Sequence, residues 1–176
     1  MEITFDDWLQ TAKQMRKDNS FMHRWSPETL AIWLRGGCKC AYCDCDLLES
    51  RAVAYFLSAR DHVLPKSKYP ALKSHPNNLV PTCKACNTIK AYWDANDAAE
   101  EIPIVSTNVH VLTDDQRAEL LSRCRRYIKS KRPEIVHEFE KEKELIQISL
   151  RGERTTAAGN TQAAFLVEKN DKPPCG

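Results

Sequence analysis

Asp61 and His62 stand side by side in the stretch RDHVLPKS, and Asn78 and Asn87 follow within NNLVPTCKACNTIK. An acid beside a histidine can hold a metal ion or take a proton. Two Cys-x-x-Cys knuckles, Cys40-Ala-Tyr-Cys43 and Cys83-Lys-Ala-Cys86, bracket that pair and are separated by 39 residues. Four thiolates in this arrangement make a closed tetrahedral site that suits zinc and leaves no open position for chemistry. The zinc is therefore expected to staple the segment before the acid-histidine pair to the segment after it. In a small domain, such binding contributes about 10–16 kcal/mol in apparent terms and couples folding to the metal. The run CKCAYCDC holds four cysteines where two suffice. Cys40 and Cys43 have the knuckle spacing, whereas Cys38 and Cys45 flank it and read as spare thiols. Cys124 falls on an apolar stripe and Cys175 in the tail.

The chain around this cluster has 176 residues, of which 42% are apolar, enough for one domain with extensions and a modest core. Eight cysteines in a reducing compartment point to metal rather than disulfides. The start, MEITFDDWLQ, is acidic where a secretion signal is basic and then apolar, and no stretch reaches membrane-spanning length. The expected location is the cytoplasm. The formal charge of +2 hides an uneven distribution. Residues 60–93 carry Arg60, Lys66, Lys68, Lys73, Lys84 and Lys90 against Asp61 alone, and residues 117–132 carry seven basic side chains against Glu119. Acidic runs at 94–101 and 134–144 mask both patches. Such patches are either solvated faces or a footprint for nucleic acid.

Helical elements are expected to position the cluster. Phe5, Trp8, Leu9, Ala12 and Met15 recur at helical spacing behind Thr4, with Asp7 placed for a capping box, which predicts a helix over about 5–17. Ser26 as N-cap, Pro27 at the first position and Gly36 as the stop define a second helix that delivers the chain into the cysteines. RAVAYFLSARDHV reads as one or two short strands, with Asp61 and His62 at a strand end. PKSKYPALKSHPNN lacks periodicity and reads as a long loop without internal structure. From Lys84 the pattern is helical through Ile89 and Trp93. Leu120, Leu121, Cys124, Tyr127 and Ile128 mark an amphipathic helix behind Thr113 that Pro133 is expected to interrupt. Ile135, Val136, Phe139 and Ile146 suggest a further charge-rich helix. The expected organisation is a helical segment at 1–37, a metal-stapled core at 38–94, a helical extension at 95–150 and a flexible tail at 151–176.

The motifs RDHVLPKS, NNLV and CKACNTIK, in that order, resemble the HNH endonuclease family over about Cys40 to Lys90, in a His-Asn-Asn form with zinc knuckles. The resemblance implies an α+β fold: a zinc-stapled ββα-metal core, here flanked by N- and C-terminal helices. It implies that His62 is the general base, that Asp61 and Asn87 hold a catalytic divalent ion, and that Asn78 orients the loop and the histidine. Hydrolysis of a phosphodiester needs a base to activate water and a cation to stabilise charge, and an all-oxygen pair of Asp and Asn suits Mg²⁺ or Mn²⁺. The sequence departs from the family pattern at Asn87, where histidine is common, and between Pro65 and Asn77, which lacks the usual Gly-Gly and carries Tyr69, Pro70 and His75.

Three readings follow. The first is a metal-dependent DNA endonuclease in which Lys66, Lys68, Lys84 and Lys90 contact phosphate. The second is a zinc-dependent nucleic-acid-binding module without cleavage. The third is a nuclease subunit of a larger assembly, for example in bacterial defence, with the flanking helices serving homodimer formation or docking.

Overall fold

The computed structural model describes residues 3–19, 25–97 and 102–151, with backbone alone at 153–155 and 161–163. The chain divides into two compact units, Met1–Lys131 and Arg132–Gly176.

In the first unit, helix α1 (Phe5–Asp18) begins at the expected capping box. Thr4 N donates to Asp7 Oδ2 at 2.8 Å, and Asp7 N donates to Thr4 Oγ1 at 3.3 Å. Helix α2 (Pro27–Arg35) is capped by Ser26, whose hydroxyl accepts from Thr29 N at 3.1 Å. The two helices pack through Ala12, Leu30 and Ala31, with Trp8, Leu9 and Met15 against them. Gly36 closes α2 at a tight approach, because a Cβ there would stand 2.6 Å from Pro81 Cγ. The first knuckle follows at once and is tied across by Ala41 N donating to Pro81 O at 2.9 Å.

The stretch expected to be all strand begins as a helix, α3 (Arg51–Phe56), and only then becomes strand β1 (Ser58–His62). The reason is local: the Ser50 hydroxyl accepts from Val53 N at 3.2 Å, which satisfies a helix N-terminus. Strand β1 pairs antiparallel with β2 (Leu79–Cys83), Ser58 opposite Cys83 and His62 opposite Leu79. The intervening segment has structure of its own, contrary to the expectation of a plain loop. Pro70 and Pro76 each open a short 3-10 turn, Pro70–Leu72 and Pro76–Asn78, and Tyr69 and Leu72 are buried. Proline at the first helical position supplies the required φ without losing a useful donor.

Helix α4 (Lys84–Lys90) starts on Cys83 and stops before Trp93, sooner than the periodicity suggested. Its C-cap, Ala91, has φ 45°, so the chain reverses, and Trp93 instead stacks on Tyr127 with centroids 4.2 Å apart. Beyond it, Asn96 bonds Tyr69 Oη and the Val105 backbone, which anchors the connection to α5.

Helix α5 (Asp114–Leu150) opens with a reciprocal cap between Thr113 and Gln116 and lays Leu120, Leu121, Cys124 and Ile128 into the main core with Trp33, Leu47, Val63 and Leu64. Pro133 does not interrupt it. A proline forgoes one backbone bond, to the carbonyl four residues back, and both Pro133 and Lys129 are exposed, so water can serve that carbonyl.

In the second unit, Ile135, Val136, Phe139 and Ile146 are exposed on the helix. A short ladder pairs β3 (Glu153–Thr155) with β4 (Thr161–Ala163). The rest of the tail expected to be flexible lies outside the described residues, and Cys175 with it.

Candidate active site

The thiols meet, but the mutually closest four include Cys45 where the knuckle spacing called for Cys86. The Sγ atoms of Cys40, Cys43, Cys45 and Cys83 lie within 4.8 Å of one another, and Cys86 is hydrogen-bonded to Cys40. Cys45, set aside by the spacing argument, therefore joins the cluster, whereas Cys38 packs against the core. Cys43 Sγ and Cys83 Sγ are 3.8 Å apart. A tetrahedral zinc with bonds of about 2.3 Å requires sulfurs separated by about 3.8 Å, so the donor set fits zinc in both chemistry and spacing. Cys83 accepts from Cys86 N at 3.4 Å, so one thiol of the cluster also caps α4.

This staple fixes the neighbouring cleft from two sides. On one side, Tyr42 lies inside the first knuckle, and its buried hydroxyl donates to Asp61 Oδ2 at 2.7 Å. Burial holds that phenol well above its ordinary pKa, so it remains a donor. On the other side, Asn87 follows Cys86 directly on α4 and faces the cleft. The cleft has a volume of about 580 Å³ and includes Arg60, Asp61, His62, Lys66, Asn87 and Tyr92 in its lining.

His62 is the last residue of β1 and is half-buried. Its Nε2 lies 2.9 Å from the carbonyl of Lys73. A carbonyl only accepts, so Nε2 carries the hydrogen and Nδ1 keeps its lone pair. Burial lowers the imidazole pKa from its ordinary 6.5, with the Lys73 contact opposing it, and the neutral ring is favoured near pH 7. Asn78 pins the loop one residue before that carbonyl. It is fully buried, accepts from Leu64 N at 2.7 Å, and donates to Leu64 O at 3.1 Å and Leu72 O at 3.2 Å. It touches the loop rather than the cleft, which makes it a positioning residue.

Two of the four lysines expected at phosphate are placed otherwise. Lys90 is 1% exposed, and its Nζ donates to His62 O at 2.8 Å and pairs with Asp61 Oδ2 at 3.3 Å. It is an internal brace at the floor of the cleft, its charge already met by Asp61 and the His62 carbonyl. Lys68 pairs with Asp94 at 2.9 Å and Asp97 at 2.8 Å, so its charge is already met. Lys66 and Lys84 are exposed, and Lys66 lines the cleft beside Arg60. His75 caps the Pro76–Asn78 turn by accepting from Asn77 N at 3.2 Å and does not line the cleft.

Sequence reasoning missed Tyr42 and the buried role of Lys90. For Tyr42 a signal existed, since an aromatic with a polar tip inside a knuckle, next to a buried ligand set, needs a partner for its hydroxyl.

Residues 40–92 match the model of the HNH endonuclease family. The two antiparallel strands, the helix that follows them and the thiol cluster agree with it, and this segment is an HNH domain. The chain is also similar to the Septu protein PtuB of Bacillus thuringiensis, with 36% identity over 78 residues. That alignment covers 44% of the chain and 29% of PtuB, so the chain matches under a third of the length of this relative. No solved structure matches.

Proposed function

We propose that the chain is a metal-dependent endonuclease that hydrolyses phosphodiester bonds in DNA. The observation that carries this reading is a half-buried histidine with a fixed tautomer in one cleft with a braced aspartate and an asparagine. His62 Nδ1 takes a proton from the attacking water as the new P–O bond forms and the bond to the leaving oxygen breaks. Asp61 and Asn87 would hold Mg²⁺ or Mn²⁺, which when bound stabilises charge on the phosphate and the leaving oxygen. Tyr42 and Lys90 keep Asp61 aimed, and Asn78 anchors Leu72, the residue before the Lys73 carbonyl that meets His62. Arg60, Lys66 and Lys84 supply phosphate contacts. Cys40, Cys43, Cys83 and Cys86 hold a structural zinc. The clustering of the thiols favours metal binding in a reducing, cytoplasmic setting. No described helix is long and apolar enough to cross a membrane.

The similarity to PtuB and the exposed apolar side chains on the distal part of α5 favour action as the nuclease subunit of a larger assembly in bacterial defence. Incubation of the purified, zinc-loaded chain with supercoiled plasmid and Mg²⁺ or Mn²⁺ tests the reading. Cleavage is expected, and His62→Ala should lower its rate by about 10²–10⁴-fold. An equally active His62→Ala protein would remove His62 as the base. Cleavage that requires a co-purifying partner would establish the subunit reading.

A further inference from the structure

Tyr92 is 86% exposed, although Lys90 two positions before it is buried and Trp93 after it packs on a neighbouring ring. Lys90 is bonded to His62 O and Asp61. Ala91 has φ 45° and ψ −121°, a backbone conformation that residues with a Cβ rarely adopt. Trp93 lies nearly parallel to Tyr127, 4° between ring planes, and Asp94 accepts from both Lys68 and Tyr69. The reversal at Ala91 thus seats Trp93 and leaves Tyr92 outside. Its backbone is pinned on both sides, so a rigid segment presents the ring on the wall that also carries Asp61, His62 and Asn87.

A solvated aromatic ring costs hydrophobic burial that the neighbouring Trp93 obtains, and nothing among the described contacts of Tyr92 recovers it. Nucleobases recover it where they can stack, because every base offers a π-face to an aromatic side chain. In an intact duplex those faces are covered by neighbouring base pairs. An unpaired or frayed base leaves one open. Arg60 and Lys66, lining the same cleft, are placed for the flanking phosphates.

We propose that Tyr92 forms a nucleobase-stacking subsite, and that the preferred substrate is DNA with an unpaired base next to the scissile phosphate. This rests on the nuclease reading for its consequence in cleavage, but base binding can be measured without cleavage. The zinc-loaded His62→Ala chain is titrated with single-stranded and gapped oligonucleotides carrying 2-aminopurine at successive positions, alone and combined with Tyr92→Phe or Tyr92→Ala. Stacking on one position should quench its fluorescence, survive Tyr92→Phe and be lost in Tyr92→Ala, with affinity about 10-fold weaker. In the His62 chain, Tyr92→Ala should impair cleavage of single-stranded and gapped DNA by a similar factor and leave fully paired DNA nearly unaffected. Position-specific quenching that depends on Tyr92, without cleavage by the His62 chain either alone or with a co-purifying partner, would sink the nuclease reading and keep the subsite. Cleavage and quenching both unaltered by Tyr92→Ala would overturn the subsite and keep the nuclease. Tyr92-dependent quenching confined to RNA oligonucleotides would overturn the assignment to DNA. Zinc content and circular dichroism should match in all variants, because the ring packs on nothing.

Discussion

The Tyr42 hydroxyl donates to Asp61 Oδ2 at 2.7 Å, and this one bond joins the thiol cluster to the cleft. Tyr42 sits between Cys40 and Cys43, so the geometry that gathers the thiols also sets where the carboxylate stands. Oδ2 takes both Tyr42 and Lys90, and Oδ1 takes neither. Partners behind a ligand typically matter by about 10–100-fold in metal affinity or activity. Tyr42→Phe should therefore raise the Mg²⁺ concentration needed for half-maximal cleavage by about that factor at unchanged zinc content. Initial rates across a Mg²⁺ titration check it, and an unmoved half-saturation point would show that the bond does not tune the site.

Lys90 gives a second expectation, in which stability and DNA binding separate. A phosphate-contacting lysine affects salt dependence and not folding, whereas a buried, paired lysine does the reverse. Removing one partner of a buried ion pair costs about 3–5 kcal/mol. Lys90→Met should lower the stability measured by denaturant titration by an amount of that order. Lys66→Ala combined with Lys84→Ala should leave stability nearly unchanged and reduce the slope of log affinity against log salt concentration. A full-strength salt slope in the double variant would return Lys66 and Lys84 to ordinary solvated surface.

What was legible in the sequence were features set by local spacing. The Thr4–Asp7 box, the Ser26-Pro27 start and the Gly36 stop are decided by residues within one turn, and each stands where the pattern put it. The two knuckles and RDHV were equally plain. Illegible were features set by long-range packing. Lys90 looks like any surface lysine until β1 places Asp61 and the His62 carbonyl against its ammonium. Cys45 is drawn to the other thiols by the turn that pairs Lys39 with Asp46. RAVAYF has strand-like composition, yet a single Ser50 cap turns it helical because no partner strand competes.

The fifth thiol yields a third expectation. Cys40, Cys43 and Cys83 belong to the cluster whichever cysteine completes it. Cys86 is buried and bonded to Cys40, whereas Cys45 is exposed. A ligand shielded from water competes better for zinc, and its serine variant leaves a buried hydroxyl in place of a thiolate. Cys86→Ser and Cys40→Ser should lose zinc and most of the cooperative transition, while Cys38→Ser and Cys45→Ser retain one zinc per chain. Elemental analysis decides it, and zinc lost from Cys45→Ser but kept in Cys86→Ser would make Cys45 the fourth ligand.

A last expectation concerns acid. His75 Nδ1 accepts from Asn77 N and so caps the turn that ends in Asn78, the residue holding the loop beneath His62. Protonation at Nδ1 removes the acceptor. Burial, and then the nearby Arg35 charge, lowers the His75 pKa below 6.5, so the unfolded chain binds its proton more readily than the folded one. Stability from this group is complete above about pH 6.5, the ordinary histidine value, and declines as pH falls through that value toward the lowered folded one. His62 is shifted in the same direction, so the comparison must isolate His75. His75→Asn keeps a side-chain acceptor at the cap but cannot titrate. Its melting temperature should therefore fall less than that of the parent chain between pH 7.5 and pH 5, with the two proteins closest at the upper end. Parallel pH profiles for the two proteins would show that His75 binds its proton equally well in the folded and unfolded chain, and so is not held neutral by the fold.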